Sequence, residues 1–262
     1  MDLNLKDKVI MVAAGSKGLG FGIAEACAVD HAKVAIASRG QENVDEAAEK
    51  LRAHGAEVLG STFDAKDGDS IKAWAEAVKA AYGRIDGLVI NAGGPPAGRF
   101  DNFDESDWYN AFELTLMSAV RMIHAVLPTM REQGSGSILT VTSLSVKEPI
   151  DTILLSNVMR SGVVSLVKSL AKDVAKEGIR VNNLVPGTIN TDRIVGLMQF
   201  RANESGRPFE EMWAEGEAVI PMGRYGEPHE FGKAGAFLLS DAASYITGAT
   251  LVVDGALSRT VW

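Results

Sequence analysis

The chain has 262 residues, 46% of them hydrophobic and 23% charged, the composition of an ordinary globular protein. Its formal net charge is −8 with no basic run, which argues against DNA or RNA as the main partner. The single cysteine, Cys27, excludes an internal disulfide, and the scattered histidines (His31, His54, His124, His229) show no HxxxH or HExxH spacing, so no metal site is expected.

In chain order, "KVIMVAA" (8–14) is a short apolar run ended by glycine, and "FGIAEACAVDHA" follows it with helical periodicity, Cys27 reading as a core residue. "KVAIAS" (33–38) is the next strand, and "ENVDEAAEKLRAHG" is a helix closed by Gly55. "AEVLGSTFD" leads into the helix "DSIKAWAEAVKAAYG", stopped by Gly83. "IDGLVINAGG" is a fourth strand running into a glycine-rich turn. A long helix, "SDWYNAFELTLMSAVRMIHAVLPTMREQG", then begins with Ser106 as N-cap. "GSILTVTS" is the fifth strand, followed by the loop "LSVKEPID" and a helix containing "LLSNVMRSGVV". "IRVNNLVPG" and "ATLVVDG" are the sixth and seventh strands.

Strands alternating with helices predict one α/β domain over 1–262, a doubly wound seven-stranded parallel sheet with helices on both faces. A ligand then belongs beyond the carboxyl ends of the strands. Residues 192–225 are polar with interspersed Met and aromatic residues, and we expect a substrate lid there, with Met198, Phe200, Met212 and Trp213 as a mobile apolar cover. No apolar run reaches the length needed to span a bilayer, and the start carries no signal-peptide cleavage pattern; the expected setting is cytoplasmic, with no membrane partner.

"AAGSKGLG" (13–20) follows the first strand and opens a helix, the context in which glycines turn the chain and expose backbone N–H groups to a pyrophosphate. Five further segments accompany it: "INAGG" (90–94), "VTS" (141–143), "VNNLVPGTINTDR" (181–193), "IPMGRYGEP" (220–228) and "SYITGATLVVDG" (244–255). In this order and spacing, over essentially the whole chain, they resemble the classical short-chain dehydrogenase/reductase family, and in overall pattern its 3-oxoacyl carrier-protein reductase-like members. The resemblance implies a Rossmann fold, a nicotinamide cofactor, a small-molecule substrate and a homotetramer.

Carried onto this sequence, the family's cofactor contacts fall on Gly15, Ser16, Lys17, Gly18, Leu19 and Gly20 in the loop, Asp64 and Ala65 at the adenine, Asn91, Ala92 and Gly93 at the ribose, and Pro186, Gly187, Ile189 and Thr191 at the nicotinamide amide. The family loop has Thr-Gly where this chain has Ala13 and Ala14, so the backbone freedom is expected to move along to Gly15. NAD-specific members carry an acid at the end of the second strand; here Ser38 stands there and Arg39 follows. A serine removes repulsion of a 2′-phosphate, and Arg39 with Lys17 can meet it, so NADP is favoured over NAD. Solvated surface charge is the plain alternative for both cations.

The family's proton chemistry uses an Asn, a Ser and a Tyr-x-x-x-Lys. Ser143 retains the serine, whereas Thr115, Ser156 and Arg160 stand where Asn, Tyr and Lys are expected. A phenol has an unperturbed pKa of about 10, and a serine hydroxyl is a far weaker acid. Arg160 can still hold the cofactor ribose and place positive charge beside it, so Ser143, Ser156 and Arg160 together suit oxyanion stabilisation. Lys147, Glu148, Asp151 and Tyr225 are candidate replacement acids, while Tyr109 and Tyr245 read as packing. Three functions stay open: NADPH-dependent carbonyl reduction with a non-classical proton donor, conjugate reduction of an enone through an enolate held by Ser143, Ser156 and Arg160, and a catalytically silent NADP-binding protein.

Overall fold

The computed structural model describes residues 2–261. Among these, the strands are β1 (Val9–Ala13), β2 (Lys33–Ser38), β3 (Val58–Thr62), β4 (Gly87–Ile90), β5 (Gly136–Val141), β6 (Ile179–Pro186) and β7 (Thr250–Val253). All pair in parallel, in the order β3-β2-β1-β4-β5-β6-β7. Strand order therefore runs outward in opposite directions from the β1–β4 boundary. Such a switch point opens a crevice beyond the carboxyl ends of the strands.

Every residue of β1 is buried because both faces of the sheet are covered. Alternate side chains feed different layers. Val9, Met11 and Ala13 pack with Trp74, Val126 and Val167 on one side; Ile10 and Val12 pack with Ile23, Leu51 and Phe231 on the other. The first layer is supplied by α3 (Gly68–Tyr82), α5 (Ser118–Gln133) and α6 (Leu154–Val174). The second comes from α1 (Gly18–Val29), α2 (Gln41–Arg52) and α9 (Pro228–Leu239). Cys27 is completely buried in that second layer, and burial pushes its thiol pKa up to about 12, in keeping with a core role.

The long helix expected before β5 is interrupted. It consists of α4 (Glu105–Ala111), a π-helical segment (Phe112–Met117) and α5. Its N-cap is Asp104, not Ser106: the Asp104 carboxylate accepts from the Asp107 backbone N–H, and the Asp107 side chain accepts from the Asp104 N–H. Ser106 instead donates its hydroxyl to Asp104 Oδ1 at 2.6 Å. The expectation of no bilayer-length segment also needs correction, because Glu105–Gln133 is long and apolar enough by length and composition. Its apolar face is used internally: Ala119, Met122, Ile123, Val126, Leu127 and Met130 are buried in the core.

Residues 192–225, expected as a substrate lid with a mobile apolar cover, carry two helices, α7 (Asp192–Ser205) and α8 (Phe209–Ala218). Met198, Ala202 and Met212 form their shared buried core, with Ile194, Phe209 and Trp213 around it. Met198 and Met212 thus hold the helix pair together, while Phe200 remains exposed.

Candidate active site

Most of the sequence-derived site residues lie at the carboxyl ends of the strands, while Thr115, Ser156 and Arg160 are carried by helices. The loop 14–17 joins β1 to α1, Ser38 ends β2, Asp64 and Ala65 follow β3, and Asn91 to Gly93 follow β4. Ser143 follows β5, and Pro186 ends β6. The topology therefore gathers residues scattered from position 15 to position 191 along one crevice.

The turn after β1 is made differently from expectation. Ala14 itself takes a left-handed conformation, φ 48°, and Gly18 does so at φ 56°, whereas Gly15 does not. Gly15 is required for space, since a Cβ there would lie 2.8 Å from the Val12 carbonyl oxygen and 2.9 Å from Ile36 Cγ2. Lys17 is the N-cap of α1 in extended conformation and supplies no side-chain cap, leaving the first N–H groups of the helix without a side-chain acceptor. Leu19 is half-buried and Gly20 buried behind them. Asn91 Nδ2 donates to the Ala14 carbonyl at 3.4 Å, tying the end of β4 to this loop across the switch point.

At the end of β2, Ser38 Oγ donates to Ser16 Oγ at 2.8 Å, so the strand and the glycine loop are joined by neutral hydroxyls. Lys17 and Arg39 are exposed beside them, and neither forms an ion pair among the described residues. Asp64 is exposed and fixed by its backbone N–H donating to Ser70 Oγ at 3.1 Å; Ala65 packs against the core. On the far side, Gly187 N–H donates to the Val253 carbonyl at 2.8 Å, Ile189 is buried and bridged to Gly226, and Thr191 caps α7 without a side-chain bond.

The chemical end is organised by α6. Ser156 and Arg160 are 7% and 9% exposed and lie one turn apart on its buried face. Arg160 Nε donates to Ser156 Oγ at 3.1 Å. Its Nη1 donates to the Val141 and Thr142 carbonyls at 3.0 and 3.3 Å, anchoring the guanidinium to the end of β5. Ser143, the next residue, accepts from the Ser145 backbone N–H at 3.2 Å. Both serine hydroxyls are thus occupied as acceptors and keep their own hydrogen to donate.

Burial, and secondarily the charge of Arg193, lower the Arg160 pKa to about 10. The Arg160 Nη2 has no hydrogen-bond partner among the described residues. Thr115 sits in the middle of the π segment, 7% exposed, with its Oγ1 buried and unpartnered. π segments concentrate at functional sites because the extra residue re-aims what it carries.

Two of the four candidate acids, Tyr225 and Glu148, are engaged elsewhere. Tyr225 is 2% exposed, its hydroxyl donates to the Trp213 carbonyl at 3.4 Å, and burial and Glu217 raise its pKa. It is packed edge-on against Trp213, with ring centroids 4.5 Å apart, and is no proton donor for the crevice. Glu148 is committed to the C-terminal tail, accepting from the Arg259 N–H at 2.9 Å. Tyr109 and Tyr245 are exposed. Among the described residues no cluster of His, Cys, Asp and Glu could hold a metal ion.

Two contributors escaped the sequence reading. Asn183 Oδ1 accepts from both Thr140 and Thr142 hydroxyls at 2.9 Å, a buried knot that fixes β5 against β6 just before Ser143. Arg193 lies in the quoted segment 181–193 but carried no assigned role. Its signal was available: a cation in the first turn of a helix opposes the macrodipole.

The loop and the anchored arginine fit a dinucleotide with a 2′-phosphate: uncapped helix N–H groups, a serine pair in place of an acid, and two unpaired cations at one end. At the other are an orphaned Thr115 hydroxyl and a free Nη2. Comparison with known proteins points the same way. A family model described as Enoyl-(Acyl carrier protein) reductase matches residues 13–258. Dehydrogenase/reductase SDR family member 4 of Oryctolagus cuniculus is 34% identical over 255 residues, covering 96% of this chain and 94% of that protein. L-sorbose reductase from Gluconobacter frateurii, solved with NADPH and L-sorbose, superposes with a TM-score of 0.96 at 29% identity, covering 100% of both chains. An NADPH-bound short chain oxidoreductase of Pseudomonas aeruginosa PAO1, described as containing an atypical catalytic center, gives a TM-score of 0.88 at 30% identity over 98% of this chain and 99% of that one. The chain belongs to the short-chain dehydrogenase/reductase family of oxidoreductases.

Proposed function

We propose that the protein is an NADPH-dependent reductase of a small carbonyl compound in which Ser156 and Arg160 act at the positions of the family's tyrosine and lysine. The observation that carries this reading is the Arg160 Nε to Ser156 Oγ bond at 3.1 Å, with Arg160 also anchored to the Val141 and Thr142 carbonyls just before Ser143, whose hydroxyl is likewise free to donate. NADPH, when bound, supplies the hydride equivalent. Ser143 and Ser156 hold the substrate oxygen as negative charge develops on it. Ser156 then gives its proton to that oxygen, the charge left on Oγ is stabilised by the guanidinium at its back, and water restores the proton. Thr115 completes the donor set from the π segment. Lys17, Arg39, Ser16 and Ser38 hold the 2′-phosphate, and residues 192–225 cover the substrate.

The matched family's description as an enoyl reductase, together with a site lacking a phenol, favours a second reading. In conjugate reduction an enolate oxygen needs hydrogen bonds more than an acid, and the carbon takes its proton from water. NADPH oxidation against paired ketones and enones of the same skeleton separates the two. Turnover of ketones supports the first reading, turnover confined to enones supports the second, and NADPH binding with no turnover on either panel overturns both.

A further inference from the structure

Arg193 is a charge without a protein partner at the mouth of the crevice. A Cβ built on Gly94 would lie 2.8 Å from its Nη1 and 3.1 Å from its Nη2, so the guanidinium rests against the backbone just beyond β4. Glycine at 94 is what gives it that place. Arg193 makes no side-chain hydrogen bond and no ion pair among the described residues, although Asp192 is its chain neighbour. It occupies the first turn of α7, whose N-cap, Thr191, offers no side-chain cap and where the helix dipole disfavours a cation. Helix stability therefore does not account for an arginine here.

A second arginine shares this space. Arg160, 9% exposed, has its Nη2 free and feels the charge of Arg193. The two like charges repel each other, and an anion bound beside Arg193 offsets that repulsion. Nor does it reflect a generally cationic protein, since the chain carries a net charge of −8.

We propose that Arg193 is a specificity-determining residue for an anionic substrate: the compound reduced at Ser143 and Ser156 carries a carboxylate, which the Arg193 fork binds with Arg160 adding positive charge behind it. This rests on the carbonyl-reductase reading and deepens it. A cofactor phosphate is the other anion within the crevice. The substrate is favoured because Arg193 stands in the first turn of α7, two residues beyond Thr191 and at the start of the segment read as the substrate cover, while the α1 N-terminus, Lys17 and Arg39 serve the phosphate end.

The test uses malonate, a dicarboxylate with no reducible carbonyl, on the NADP⁺-saturated protein. Malonate should raise the melting temperature of the wild type, Arg193→Gln should lose that shift, and Arg193→Lys should keep part of it. In turnover, Arg193→Gln should lower kcat/KM for acetoacetate by about tenfold or more, as removal of a charge-assisted pair does, and leave methyl acetoacetate within about twofold. No malonate shift in the wild type, or an equal shift in Arg193→Gln, overturns the proposal. So does weakened NADPH binding in Arg193→Gln without a malonate effect, which would give the guanidinium to the cofactor phosphates. If neither acetoacetate nor its ester is turned over while the malonate shift and its loss persist, the carbonyl-reductase reading fails and the anion site stands.

Discussion

Arg160 donates Nε–H to Ser156 Oγ at 3.1 Å from one turn further along α6, so the two buried polar residues of that helix act as one unit. Removing the hydroxyl leaves the charge and deletes the donor. Ser156→Ala should lower kcat by about 10²- to 10³-fold, the range for losing one oxyanion donor. NADPH affinity, measured by fluorescence titration, should stay within about twofold. An equal loss in binding would move Ser156 from the chemistry to the cofactor.

The pH profile follows from the same arginine. Its pKa is lowered to about 10 by burial first and by Arg193 second, so it is charged at neutral pH and loses its proton as pH rises through about 10. kcat should therefore fall on an alkaline limb near that value. Removing the Arg193 charge relieves one of the two causes, so the limb should move upward in Arg193→Gln. A limb that stays put, or moves down, contradicts the coupling.

Cofactor choice should depend on the two unpaired cations beside Ser38. Lys17→Ala with Arg39→Ala should weaken NADPH binding by about 10- to 100-fold, the loss of two charge-assisted contacts to phosphate, and change NADH binding by less than about threefold. Parallel losses for both nucleotides would return these residues to the solvated surface.

Ala14 holds a left-handed φ of 48° that an alanine adopts at a cost of about 1–2 kcal/mol. Ala14→Gly removes that strain but frees the unfolded chain by up to about 1 kcal/mol. The net expectation is a small stabilisation, up to about 1 kcal/mol in denaturant unfolding.

Much of this was legible beforehand because the signals were local and repeated. Strand–helix alternation and glycine stops placed β1 to β7 closely, with β2 at 33–38 as read. The helix pair 192–205 and 209–218 was hidden because its apolar residues serve a small private core and leave no long periodic face. The π segment was invisible because an inserted residue in a helix leaves no compositional mark, only a shifted register. Ala14 broke the rule that positive φ goes to glycine, since the surrounding packing requires Gly15 for its lack of a Cβ. The four-residue spacing of Ser156 and Arg160 put both on one helix face, but which hydroxyl accepts from which donor depends on how α6 lies against β5.

Asn183 bears on where Ser143 stands. Thr140 in β5 and Thr142 just past its end both close their hydroxyls on a single amide oxygen, that of Asn183 in β6, whose Nδ2 donates to Thr250 on β7 at 3.4 Å. Three neighbouring strands are thereby indexed to one another like teeth on a rack, and a slip of one residue would leave three buried polar groups without partners. Ser143 follows Thr142 directly, so its backbone takes its position from that indexing. The loop that follows sets only the side chain, through the Ser145 N–H that donates to Ser143 Oγ at 3.2 Å.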